Sequence, residues 1–379
     1  MVKPNVIFTN ALEKVLARVW LLGDEHLDDK HLSDTQSAII DVRTIYRNKG
    51  EKLIGEKVKR YAQSIDFSQR RYRAGYIASF GERHAYLTYR HLKKVENENP
   101  NVIPEPNNGE LTVTIVGAGA ALEIFGLCYF YNEAKHRIRK LKINCIERIS
   151  DWHSDRDTVI ERVIKKTFSK LEVISKDIEI NLVQDNISIL SHNYDNLAET
   201  DIVLIYNVLN EITTNPSHQK YIWKNIKYIL KICDKRVLIL LMEPSAYYTR
   251  PRVQPIIERL NIVTKNILSS NEEEFIFDTE PLIIQFESKI DGLNKRLFGN
   301  PSDGHKPTFE KSLKRIHLAC VRDPLSPILE LDAERQFRSI GRQRDEKQRF
   351  RRAKNQSSFF EIDEQFGNQR VTKKYLNET

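Results

Sequence analysis

One stretch constrains this chain more than any other: Leu-Thr-Val-Thr-Ile-Val-Gly-Ala-Gly-Ala-Ala-Leu-Glu-Ile-Phe-Gly, residues 111–126. The β-branched apolar residues up to Val116 suit a buried strand. Gly117-Ala118-Gly119 then breaks it, and Ala120-Ala121-Leu122-Glu123 resumes in good helix formers. A strand, a glycine turn and a helix in that order open a nucleotide-binding α/β unit. Glycines without a Cβ take tight-turn angles and let a ligand lie against the main chain. A helix starting near Ala120 aims its unsatisfied N–H groups at the same place. Such turns also occur in ordinary α/β proteins, so the rest of the chain has to decide.

Beyond Leu111 strand and helix patterns alternate, which predicts a largely parallel sheet covered on both faces. The expected strands are Leu111–Val116, Lys142–Glu147, Ile178–Val183, Asp201–Tyr206 and Arg236–Met242. Helices are expected from Ala120 to about Leu141, over Asp155–Leu171 and over His218–Cys233. Further strands are expected at Phe275–Phe277, Leu282–Phe286 and His317–Val321, with a Gly/Asn/Pro-rich loop at Asn294–Pro307. In such a sheet ligands bind at the carboxyl ends of the strands, where the strand order switches. Four of those ends carry suitable groups: Gly117-Ala118-Gly119, Glu147, Asp185-Asn186 and Asn207. An acid after the second strand is placed to accept hydrogen bonds from ribose hydroxyls, and an Asp or Asn after the third to accept from an exocyclic adenine amine. Glu211 and Glu243, after the fourth and fifth strands, are candidates to face an acceptor; Glu243, before Pro244, suits a turn equally well.

Residues 1–108 read instead as a helical domain, with helices at Ala11–Leu22, Asp34–Tyr46, Glu51–Ile65 and Ser68–Val95. In the last, Tyr72, Tyr76 and Phe80 recur every four residues among Arg70, Arg71, Arg73, Arg83 and Arg90. That is either an amphipathic helix with its aromatic stripe in the core, or a surface on which arginines meet phosphates and tyrosines stack on bases. Glu96–Gly109, rich in Asn and Pro, reads as a linker. Residues 109–330 form the α/β domain, and 331–379 a basic arm: Arg335–Lys354 holds nine Lys/Arg against two acids, Arg349, Arg351 and Arg352 among them. Such a like-charge block is a solvated helix or a nucleic-acid arm. The formal charge is +8, which favours an acidic partner such as RNA, DNA or an anionic surface; nucleic acid, RNA in particular, is the expected partner. Four scattered cysteines, with no Cys-x-x-Cys spacing, predict no metal site and suit a reducing cytoplasm. The histidines show no metal-ligand spacing and read as structural or surface residues. No apolar run reaches membrane-spanning length, the longest being Val237–Met242, and the N-terminus lacks the pattern of a secretory signal.

Over residues 110–325 the four strand-end groups and the segment Asp-Ile-Val-Leu-Ile-Tyr-Asn-Val-Leu-Asn-Glu-Ile resemble the class I S-adenosylmethionine-dependent methyltransferases. The resemblance implies a Rossmann-like, seven-stranded, mostly parallel α/β sheet with S-adenosylmethionine as cofactor. Gly117, Ala118 and Gly119 would lie against its methionine part, Glu147 would hold the ribose, Asp185 and Asn186 the adenine, and Asn207 would sit beside the sulfonium. Two departures stand out. Ala121 replaces a frequent third glycine, and 28 residues separate Gly119 from Glu147, which predicts a long first helix. The Arg/Tyr-rich helix, Val-Leu-Asn-Glu-Ile and Met242-Glu-Pro-Ser-Ala are also similar to the methyltransferase-like assembly factors of the small ribosomal subunit, although the clustered cysteines of some members are missing.

The function so implied is methyl transfer to RNA or to an RNA-bound protein within a ribonucleoprotein, with Asn207 and Glu211 as candidate catalytic residues. An inactive methyltransferase fold that binds RNA or aids assembly is the alternative. No Asn/Asp-Pro-Pro-aromatic segment follows the fourth strand, and no cysteine lies in Tyr206–Glu211 or Glu243–Ser245 to attack a pyrimidine carbon. A nicotinamide-dependent oxidoreductase is a further alternative, but its fingerprint needs glycine or alanine where Leu122 stands, and an acid about 20 residues on.

Overall fold

The computed structural model describes residues 4–22, 26–48, 65–133, 137–212, 216–244, 249–276, 297 and 312–323. Glu51–Ile65 (but for its last residue), Leu282–Phe286, the predicted 294–307 loop (but for Leu297) and the whole basic arm with Arg349, Arg351 and Arg352 therefore lie outside them. Residues 1–324 make one compact unit and 325–379 another. The N-terminal helices thus belong to the same unit as the sheet, and their apolar side chains share one core with it, from Phe8 through Ile115 to Val321.

The sheet has seven strands: β1 (Glu110–Val116), β2 (Lys140–Glu147), β3 (Glu172–Glu179), β4 (Ile202–Tyr206), β5 (Val237–Pro244), β6 (Lys265–Ile276) and β7 (Ser312–Arg322). Their spatial order is β3-β2-β1-β4-β5-β7-β6. Strands β1 to β5 pair in parallel, and β7 runs antiparallel between β5 and β6. Central strands are apolar throughout because both faces are covered: every residue of β4 is buried. One face carries α1 (Pro4–Val19), α2 (Asp29–Asn48), α3 (Arg70–Glu98), α4 (Glu123–Glu133) and α5 (Trp152–Val159), the last running on through a π-turn at Ile160–Ile164. The other carries α6 (Ile187–His192), α7 (Tyr194–Ala198), the short α8 (Leu209–Ile212), α9 (Gln219–Ile232) and α10 (Thr249–Val263).

Three expectations need correction. The third strand begins six residues before Ile178, because β3 is an edge strand whose alternating Glu172, Ser175, Lys176 and Asp177 carry little apolar signal; only Ile178 in it is fully buried. Helix α4 is 11 residues long and starts at Glu123, not Ala120; the long gap to Glu147 is taken up by the turn before it and by residues beyond Glu133. Helix α10 was not expected at all, since Pro251 and Pro255 lie within it and proline in a helix interior argues against the assignment.

Candidate functional site

The chain runs β1, β2, β3 to one side of β1 and then returns to place β4 on the other, so the order switches between the carboxyl ends of β1 and β4. Gly117 and Asn207 stand at those two ends. Gly117 (φ +71) and Gly119 (φ +47) both lie in the left-handed region, which glycine enters without a Cβ penalty. A Cβ on Gly117 would overlap Val208, the residue after Asn207, so the two loops touch across the crevice. A Cβ on Gly119 would find only Trp152, at 3.9 Å. One glycine permits a close contact within the protein; the other leaves open space.

Glu147 ties the turn together. Its Oε2 accepts from the Gly119 N–H at 2.9 Å, while Oε1 accepts from the N–H groups of Arg148 (2.8 Å) and Ile149 (3.1 Å). A carboxylate offers about four acceptor positions, so one remains on Oε2, facing the turn. Arg156 donates to the Gly119 carbonyl at 2.9 Å and pairs with Asp177, fixing the next peptide of the turn. Ala121 adopts φ +52. The missing third glycine therefore stands where the backbone is left-handed, a conformation costing an L-residue about 1–2 kcal/mol.

Asp185 and Asn186 have different fates. Asp185 is exposed, and Lys224 of α9 donates to its Oδ2 at 2.5 Å, holding its carboxyl below the usual carboxylate range. Asn186 is buried; its side-chain amide donates to the Asn181 and Gln184 carbonyls, so it secures the loop itself. Glu243 is fully buried, accepting from the Leu209 N–H and the Asn210 amide at 2.7 Å each. Its carboxylate thus sits at the N-terminus of α8, and the turn reading is the one its geometry fits. Glu211 lies within α8, and its side chain falls outside the described residues.

Asn207 (φ +56) belongs to a chain of hydrogen bonds that no local sequence pattern announces. Arg315 of β7 donates to its Oδ1 at 3.2 Å, so the Nδ2 amide is the group facing His84 Nε2, also at 3.2 Å. An amide donor requires Nε2 to accept, which leaves the proton on Nδ1, where Glu123 Oε1 lies 2.6 Å away. His84, read from sequence as structural or surface, is buried, with its unprotonated nitrogen turned to the end of β4. Nearby, His91 Nδ1 bonds the Tyr206 hydroxyl at 2.8 Å, and its ring meets that of His317 edge-on at 5.5 Å.

The arginines of α3 part company. Arg73 is 3% exposed, bonded to Asp155 at 2.6 Å and to the carbonyls of Phe67 and Ser68; Arg83 is also buried. Neither faces solvent as a phosphate contact must, which corrects that expectation for both. Arg70 is half-buried and Arg71 exposed, the latter lying over Tyr72 at 4.5 Å. The aromatic stripe is half-buried: Tyr72, Tyr76 and Phe80 are each partly covered, and Tyr76 packs on Phe67, Phe80, His84 and Trp152.

What separates this sheet from the dinucleotide-binding order 3-2-1-4-5-6 is β7, inserted antiparallel between β5 and β6. The chain has a Rossmann-like, seven-stranded, mostly parallel α/β fold. No family model matches the sequence and no curated protein matches it. Solved structures similar to it are of low identity and low TM-score. One is a protein from Listeria monocytogenes described as a class I S-adenosylmethionine-dependent methyltransferase, 10% identical, covering 85% of this chain and 90% of that one, with a TM-score of 0.37. Another is loganic acid methyltransferase with S-adenosylhomocysteine, 9% identical, covering 70% and 99%, TM-score 0.33. A third is the methyltransferase CalH with S-adenosylhomocysteine, 12% identical over 65% and 59%, TM-score 0.29. Among the described residues, no group of three or more His, Cys, Asp or Glu is placed to hold a metal ion. No described helix is long and apolar enough to cross a membrane.

Proposed function

We propose that the protein is an S-adenosylmethionine-dependent methyltransferase whose acceptor is RNA or an RNA-bound protein in a ribonucleoprotein. The observation that carries the cofactor half is the Glu147 carboxylate, which spans the glycine turn at the switch point and keeps one acceptor position for a ribose hydroxyl. The open space at Gly119 fits the same group. Gly117, Ala118 and Gly119 would line the methionine part, and Asp185 the adenine edge, its Oδ1 making only a long contact of 3.4 Å to the Ile187 N–H. When bound, S-adenosylmethionine supplies an electrophilic methyl group on its sulfonium sulfur. The protein's part is to orient an acceptor at the end of β4 and to receive its proton. Asn207 is placed to orient it, and His84 Nε2, held as the acceptor nitrogen by Glu123 at Nδ1, to take the proton. Positioning alone supplies much of the rate where the acceptor is already nucleophilic.

The charge of +8 supports the nucleic-acid half. Four buried cysteines, none in a disulfide, support a reducing, cytoplasmic setting. One observation favours the non-catalytic alternative: both amide atoms of Asn207 already have partners, His84 and Arg315.

Calorimetric titration with S-adenosylmethionine tests the cofactor half. Micromolar binding is expected, and Glu147→Ala should weaken it by about 1.5–3 kcal/mol, the worth of hydrogen bonds to a charged group. Unchanged affinity in that variant would unseat Glu147. No binding to the folded wild-type protein, with RNA affinity retained, would select the non-catalytic reading.

A further inference from the structure

Among the described residues, Arg156 of α5 is the largest side chain buried completely. A guanidinium is expensive to desolvate, and a buried ion pair often stabilises a fold no better than apolar side chains of similar volume. What Arg156 touches therefore matters more than its burial. Nη1 pairs with Asp177 of β3, whose other oxygen faces His153 Nδ1 at 3.2 Å. Nη2 donates to the Gly119 carbonyl at 2.9 Å, and among the described residues it is the one donor which that carbonyl has. The helix carrying Arg156 is held firmly at the same turn. Asp155 bonds Arg73 at 2.6 Å, and the Trp152 ring packs on Phe67 and Tyr76.

Gly119 is the residue of the turn least able to choose its own conformation. It has no Cβ, so left- and right-handed backbone angles are about equally open to it, and the peptide after it can face either way. Earlier peptides of the turn are tied through main-chain bonds, Gly117 and Ala118 both donating to the Ile146 carbonyl. Gly119 is tied through two charged side chains instead, its N–H by Glu147 and its carbonyl by Arg156. With both polar groups turned to the protein, its bare Cα meets the open space beside it, where a Cβ would find only Trp152 at 3.9 Å. We propose that Arg156 is a positioning residue for the candidate cofactor site: it keeps the Gly119 carbonyl turned inward, so that this space stays open for the amino-acid part of the cofactor. Rotated outward, the carbonyl would put an oxygen into that space and oppose the cofactor's carboxylate. The proposal rests on the cofactor reading above and deepens it, since Glu147 and Arg156 then act as two opposite charges on one glycine.

The test is calorimetric titration of the full-length protein with S-adenosylhomocysteine and, separately, with methylthioadenosine, a nucleoside thioether that lacks the amino-acid part. The variant is Arg156→Met/Asp177→Asn, which removes the guanidinium without leaving its counter-charge behind. Asp177→Asn alone, which keeps Arg156 and an acceptor for it, is the control. Losing a hydrogen bond from a charged donor should leave the inward orientation about one part in ten populated or less. Apparent affinity falls by that fraction, so the double variant should bind S-adenosylhomocysteine at least about tenfold more weakly. Its affinity for methylthioadenosine, and both affinities of the control, should stay near those of the wild type. Arg156→Lys puts a single ammonium in place of the planar fork and should fall between the wild type and the double variant; it carries the comparison should the double variant not fold. Equal loss of both ligands would make Arg156 a general support of the fold, and unchanged S-adenosylhomocysteine affinity would free the turn from it. An equal loss in Asp177→Asn would assign the effect to the ion pair and not to the carbonyl. Each of these three results overturns the proposal and leaves the cofactor reading standing. No binding of S-adenosylhomocysteine by the folded wild type would remove the cofactor reading itself, and the positioning role with it.

Discussion

Helices α3 and α9 both interleave basic and aromatic side chains, yet Arg73 on the first is 3% exposed and bonded to Asp155, while Lys220 on the second stands in solvent. The difference lies in what surrounds each helix. Helix α9 sets its apolar residues against the sheet and leaves Lys220, Lys224 and Lys231 exposed. Helix α3 is enclosed: Ala85 packs so closely on α4 that a Cβ at Gly126 would overlap its carbonyl oxygen, and Tyr76 lies among Phe67, Phe80 and Trp152. An arginine on an enclosed helix has to find a carboxylate or carbonyls inside the protein, because burying its charge unpaired is costly. A basic and aromatic pattern therefore reports a partner for phosphate only when the helix has a free side.

The comparison can be broken in three places, and the largest effect is expected at Arg73. Arg73→Met leaves Asp155, 2% exposed, without its main counter-charge, and should cost about 3–5 kcal/mol in urea denaturation. A loss below 1 kcal/mol would mean that Arg73 is not structurally committed and would return it to the surface set. A smaller effect should come from pH. Burial, aided by the charge of His317, holds His91 well below the ordinary histidine range. Its folded-state value is depressed, so the contribution is present above the unfolded value near 6.5 and is lost as pH falls below it. Stability should then decline by up to about 1.4 kcal/mol per pH unit for this one group. His91→Gln should flatten that slope, and an unaltered slope would place the titrating group elsewhere. The smallest effect belongs to α9: Lys220→Gln should shift stability by no more than about 0.5 kcal/mol, and a larger loss would show that α9 resembles α3 after all.

Much of the architecture was legible from residues 111–242. The runs Leu111–Val116, Asp201–Tyr206 and Val237–Met242 are apolar enough to be central strands and little else. Strand β3 was misplaced because an edge strand shows only one half-covered face and its sequence alternates without a strong apolar period. Helix α10 was hidden by its prolines. Of the candidate site, Gly117, Gly119, Glu147 and Asn207 come together at the switch between β1 and β4, since strand ends in a parallel sheet converge by topology. His84, Glu123 and Arg315 were not legible: His84 lies 39 positions from Glu123 and 123 from Asn207, and Arg315 lies 108 from Asn207, and no local pattern encodes such pairs.

The sequence alone settled where the chain would form its central parallel strands β1, β4 and β5 and where its turn would need glycine, because those depend on local apolar periodicity and on the sterics of φ. Only the tertiary structure decided which charges face water. Burial is a property of what packs against a residue, and Arg73 and Lys220 carry the same charge with opposite surroundings.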